Sequence, residues 1–106
     1  MRIMLACALG MSTGMLMEKM KEVAIAEGKD YKIWAVDMSS IDKNEGEFDV
    51  LLLGPQVNYL LDDMQKQYGD KVPVLIVKPV DYGRMNGKNV LRDVEKAYTE
   101  FNKSNT

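Results

Sequence analysis

Residues 3–6, 48–53 and 72–77 are short apolar runs without regular alternation, the pattern of strands buried on both faces of a sheet. Residues 31–36 alternate instead, which predicts a strand with one wetter face at a sheet edge. Between these runs the apolar period lengthens. Leu16, Met20, Val23 and Ala24 form one stripe at helical spacing, in a helix capped by Ser12 or Thr13, running to about Glu27 and closed by Gly28. Val57, Leu60, Leu61 and Met64 form a second stripe in a helix over 56–68 that Gly69 ends. Val90, Leu91, Val94, Ala97, Tyr98 and Phe101 face inward from a third, which starts at Asn86 or Gly87 and ends at Phe101. Residues 38–46 read as polar and turn-rich, with one short helical turn from Ser39 or Ser40. Residues 78–83 read as a connection and 102–106 as a frayed tail.

Four strands alternating with helices predict an α/β fold, a four-stranded parallel sheet in the order 2-1-3-4 with helices on both faces. This flavodoxin-like three-layer sandwich is also the layout of small cysteine phosphatases. One domain spans 1–106. The strand order reverses between the first and third strands, and such folds bind ligands in the crevice at that point. The segment after Cys7 and the turn Gly54-Pro55-Gln56 then share one crevice at the carboxyl ends of the strands.

With 46 % hydrophobic residues the 106-residue chain can build a core. Its 14 basic and 16 acidic residues leave a net charge of −2 and no basic stripe, which argues against nucleic acid. No apolar run reaches the roughly 20 residues that cross a bilayer, and no signal peptide is visible, so a cytoplasmic protein is expected. The chain has one cysteine and no histidine. That removes internal disulfides, C-x-x-C redox chemistry, Cys–His activation within the chain and the usual zinc sites. No metal and no permanently bound cofactor is expected.

The chemistry therefore concentrates on Cys7, which ends the first strand ahead of Ala8, Leu9, Gly10, Met11, Ser12, Thr13 and Gly14. A strand, a loop of small residues and a helix start aim backbone N–H groups at an anion, and the positive helix end favours a sulfur anion. The plain alternative is a small buried residue followed by an ordinary turn, in a binding module with an inert cysteine. Nucleotide-loop and dinucleotide-loop spacings are absent. A cysteine phosphatase needs C-x-x-x-x-x-R-[ST], and its arginine slot holds Thr13. No basic side chain lies between Arg2 and Glu18. Hydrogen bonds to a charged group contribute roughly 1.5–3 kcal/mol each and the dipole about 0.3–2. These forces hold a phosphoryl group without a guanidinium to assist attack by water, a balance that suits a carrier. Asp81 reads as a turn residue rather than a general acid. Leu9, Met11, Met15 and Met17 form an apolar collar suited to docking proteins, or pack in the core, as expected for Met15 or Leu16.

The run Cys7-Ala8-Leu9-Gly10-Met11-Ser12-Thr13-Gly14-Met15-Leu16, the join Leu52-Leu53-Gly54-Pro55-Gln56-Val57-Asn58-Tyr59 and the segment Asp81-Tyr82-Gly83-Arg84-Met85-Asn86-Gly87 resemble the IIB component of the lactose/cellobiose family of the sugar phosphotransferase system. The resemblance implies a cytosolic phosphotransferase subunit. Its cysteine takes a phosphoryl group from a phosphohistidine of the IIA component. It passes the group to a sugar, a β-linked disaccharide such as cellobiose, chitobiose or lactose, bound by the membrane IIC component. It implies phosphocysteine at Cys7 and a phosphate loop from Ala8 to Gly14, with Gly54, Pro55, Gln56 and Tyr82 as crevice neighbours. Gly14 departs from the family pattern, where a second small hydroxyl residue is common.

Overall fold

β1 (Arg2–Cys7) is buried from its second residue onward and forms the centre of the sheet with β3 (Val50–Leu53), which is buried throughout. β2 (Lys32–Asp37) pairs with the free side of β1, and β4 (Val74–Ile76) pairs with β3. The order β2-β1-β3-β4 with every pair parallel is the one the sequence predicts. The structure is a computed structural model that describes residues 1–8 and 10–104, with the backbone alone at 10–12.

Alternate side chains of β1 serve two cores. Ile3 and Leu5 join Leu16, Met20 and Ala24 of α1 (Gly10–Ala26) and Val90, Leu91 and Val94 of α4 (Gly87–Ser104). Met4 and Ala6 join Phe48, Val57 and Tyr68, the last at the end of α2 (Leu61–Tyr68). Phe48 and Tyr68 meet edge to face at 5.8 Å between ring centres. Helices thus cover both faces. On the first face a Cβ at Gly87 would fall 2.6 Å from the Lys19 carbonyl carbon and 2.8 Å from the Met20 nitrogen.

Five local expectations are corrected. α1 starts at Gly10, so Ser12 and Thr13 lie inside its first turns rather than capping it. The helix expected over 56–68 is split. Residues Pro55–Leu60 form a 3₁₀ segment in which Val57 leaves helical geometry (φ −114°, ψ 26°) while its side chain is fully buried. Packing on the second core outweighs helical propensity there. The connection over 78–83 holds a short helix, α3 (Pro79–Gly83), because Pro79 suits a first helical position after an extended Lys78. α4 continues past Phe101 to Ser104, with Lys103 in the last turn and the Ser104 hydroxyl donating to the Glu100 carbonyl. Residues 102–104 are therefore helical, and 105–106 lie outside the described residues. The turn-rich segment holds two 3₁₀ turns, Met38–Ser40 and Asp42–Asn44, where one was expected.

Candidate functional site

Cys7 occupies the carboxyl end of β1, paired in register with Asp37 of β2. The Asp37 carboxylate is turned to the following backbone, where it accepts from the Ser39 N–H at 3.0 Å. On the other side, the Gly54 N–H donates to the Ala6 carbonyl at 3.0 Å and carries the chain past Cys7. This brings Gln56 back over the sulfur: the Cys7 thiol donates to Gln56 Oε1 at 3.5 Å. Gly54 is the condition for that approach. A Cβ there would lie 2.8 Å from Gln56 Oε1 and 3.2 Å from Cys7 Sγ. The crevice between the first and third strands thus brings Cys7, Gly54 and Gln56 together.

The thiol is not open to solvent, since Cys7 is 1 % exposed. Gln56 and Ala8 are exposed. Three residues beyond Cys7, α1 begins, and the first four N–H groups of a helix have no acceptor within it. The expectations at Leu9 and at the side chains of Met11 and Ser12 lie outside the described residues. Gly14 sits in α1, and a Cβ there would meet nothing within 4 Å.

Thr13 turns its side chain inward. It is 1 % exposed and lies three and seven positions before the core residues Leu16 and Met20, on the same helix face. Among the described residues its Oγ1 is buried without a hydrogen-bond partner, and so is the Tyr82 hydroxyl of α3, whose ring packs on the first core. Asp81 is a buried anchor: its Oδ1 accepts from Asn89 Nδ2 at 3.2 Å, tying α3 to α4. That pairing spans eight residues across a helix break, and the sequence reading missed it. Of the collar, Met15 is 62 % exposed and Met17 packs against the first core, while Leu16 takes the fully buried place.

Among the three arginines, Arg2 is committed at the opposite end of β1. Its guanidinium and N–H bind Asp49, with Nη2 at 3.0 Å from Oδ1, and these bonds hold the Asp49 carboxyl below its usual range. Among the described residues no group of three or more His, Cys, Asp or Glu side chains is arranged to hold a metal ion. No helix of the described residues is long and apolar enough to cross a membrane.

Comparison with known proteins bears on the fold and the family. A family model described as "PTS system, Lactose/Cellobiose specific IIB subunit" matches residues 2–93. The chain is 42 % identical over 99 residues to the galactose-specific EIIB component of the PTS of Lactococcus lactis subsp. cremoris, a match covering 88 % of this chain and 92 % of that one. It is 36 % identical over 88 residues to the oligo-beta-mannoside-specific EIIB component of Bacillus subtilis, covering 82 % and 85 %. The solution structure of a cellobiose-specific phosphotransferase IIB component from Borrelia burgdorferi superposes with a TM-score of 0.78 at 32 % identity, covering 94 % and 93 %. The lactose-specific IIB domain of Streptococcus pneumoniae shares the fold, with a TM-score of 0.83 at 16 % identity and coverage of 92 % and 97 %.

Proposed function

The chain belongs to the lactose/cellobiose-specific IIB family of the phosphotransferase system, phosphoryl carriers of sugar uptake that work with IIA and IIC partners, and from that premise we propose that Cys7 is the atom-level carrier. The observation that supports this most is the place of the chain's one cysteine. It ends β1 ahead of a helix start, in a stretch with no charged side chain from residue 3 to residue 17.

The thiol sulfur attacks phosphorus in line with a phosphorylated imidazole nitrogen of the IIA partner. The S–P bond forms and the N–P bond breaks. The nitrogen keeps the electron pair, and the thiol proton balances the imidazole. A sugar hydroxyl presented by the IIC partner then attacks the same phosphorus; the O–P bond forms as the S–P bond breaks, and sulfur leaves with the electron pair and takes up the proton the hydroxyl gives up. Since the chain has no histidine, the donor imidazole belongs to the partner. Backbone N–H groups at the start of α1, in the stretch from Ala8 to Gly14, stabilise charge on the transferring group. No metal or bound cofactor enters either step. The sugar we propose is a β-linked disaccharide, and the site of action is the cytosolic side of the membrane.

Cys7→Ser is the test. It is expected to abolish formation of a phosphoprotein and sugar phosphorylation, with an unchanged circular dichroism spectrum, when incubated with a phosphorylated IIA protein. Normal transfer by that variant would end the proposal. Steady turnover of an aryl phosphate by the wild type would instead make the protein a phosphatase.

A further inference from the structure

Cys7 is 1 % exposed, and a carboxamide stands over its sulfur. We propose that Gln56 is a two-sided positioning residue for phosphotransfer: its Oε1 accepts from the thiol, and after phosphorylation the amide turns so that Nε2 donates to a phosphoryl oxygen. This rests on Cys7 being the phosphorylated residue.

Three observations carry it. The Gln56 carboxamide lies 3.5 Å from Sγ, so a phosphoryl group added to that sulfur falls within its reach. A carboxamide offers an acceptor on one side and two donors on the other, whereas a thiol supplies a proton and a phosphoryl group supplies only acceptors. The same side chain therefore matches both states by rotating, and it is exposed, so rotation is open to it. Finally, Gly54 leaves the space: a Cβ there would press on Gln56 Oε1 at 2.8 Å and on Sγ at 3.2 Å. Gly54 has an ordinary extended backbone (φ −65°, ψ 150°), so its lack of a side chain serves clearance and not conformation. With no cationic side chain between residues 3 and 17, a neutral donor also holds the group without the clamp that would favour hydrolysis.

The experiment uses the full chain with a IIA protein phosphorylated on histidine by the general phosphotransferase proteins. Equilibrium occupancy of Cys7 is read by intact mass, and the Gln56 side-chain amide by ¹⁵N–¹H spectra. On phosphorylation the Gln56 Nε2 resonances are expected to shift and their solvent exchange to slow. Gln56→Met should lower the transfer equilibrium constant about tenfold, the effect of one hydrogen bond to a charged group. Gln56→Glu should lower it further, because it sets a carboxylate beside the phosphoryl charge. Gly54→Ala pushes the carboxamide aside and should match Gln56→Met, and combining the two should add little. Unmoved Gln56 resonances, or a Gln56→Met equilibrium equal to wild type, overturn the inference and leave Cys7 as carrier. No phosphoryl gain on wild-type protein overturns the reading beneath it.

Discussion

A hydroxyl sealed from water without a partner costs stability, and among the described residues Thr13 and Tyr82 each bury one that finds none. Threonine and valine have the same shape, so Thr13→Val removes the unpaired oxygen without opening a cavity. We expect it to stabilise the protein by about 1 kcal/mol, read as a raised urea midpoint at constant slope. A destabilised variant would mean that Oγ1 holds a hydrogen bond in solution. The residue scale is also where the sequence was most and least readable. Cys7 could be singled out because a lone cysteine at a strand end before Gly10, Ser12 and Thr13 is a local pattern. The carboxamide over its sulfur could not, because it joins residues 49 apart through strand pairing and depends on the missing side chain of Gly54. Thr13 was read by its residue type as a cap or phosphate ligand. Its place on the face of Leu16 and Met20 follows only once α1 starts at Gly10.

At the scale of elements, α1 and α4 meet where Gly87 faces the backbone of Lys19 and Met20. Gly87→Ala would ordinarily gain helix propensity. Here the neighbour is main chain, which does not swing aside, so the variant is expected to lose about 1–3 kcal/mol in urea unfolding. A second tie joins the connection between α1 and β2 to α4: the Glu95 carboxylate takes hydrogen bonds from the Lys29 ammonium and from the Tyr31 hydroxyl, the latter at 2.6 Å. Burial opposes the Glu95 charge, and these bonds outweigh it, holding the carboxyl below its ordinary 4.5. Burial, then its bond to Glu95, pushes Tyr31 from 10.0 up to about 12, and the Lys29 ammonium's own bond to Glu95 raises Lys29. A depressed acid stabilises the fold above its unfolded pKa and loses that as pH falls through the folded one. A raised Tyr or Lys stabilises below its unfolded pKa and loses that as pH rises towards the folded one. Glu95→Gln should therefore lower the melting temperature most between about pH 5 and pH 9, with the gap to wild type closing on either side. A gap independent of pH would show that Glu95 acts by packing alone. The four strands were legible because their patterns, three apolar runs and one alternating stretch, are local. The split at Val57 was not, because it is imposed by the second core rather than by residues 56–68 themselves.

Across the whole molecule, large apolar side chains left in water gather unevenly. Met15, Tyr59 and Val80 are 62 %, 73 % and 56 % exposed, and they sit on the elements that leave the carboxyl ends of β1, β3 and β4. Ile25, at 77 %, lies near the far end of α1. Cys7 shares the first end, in a stretch without charge from residue 3 to residue 17. A carrier that meets a donor and an acceptor in turn gains from contacts that are apolar and adaptable, since these do not depend on one fixed charge pattern. Partner recognition through this end should then be weakly sensitive to salt. Raising ionic strength from about 0.05 to 0.5 M should change the KM for phosphorylated IIA by less than about twofold, because screening acts on charge pairs and not on apolar contact. Tyr59→Ser should raise that KM several-fold without lowering the melting temperature, since the ring is largely outside the core. Ile25→Ser, the same kind of change at the other end, should leave it alone. A steep salt dependence with a silent Tyr59→Ser would mean that charged residues farther from Cys7 guide the partner, and that the apolar rim serves only to exclude water.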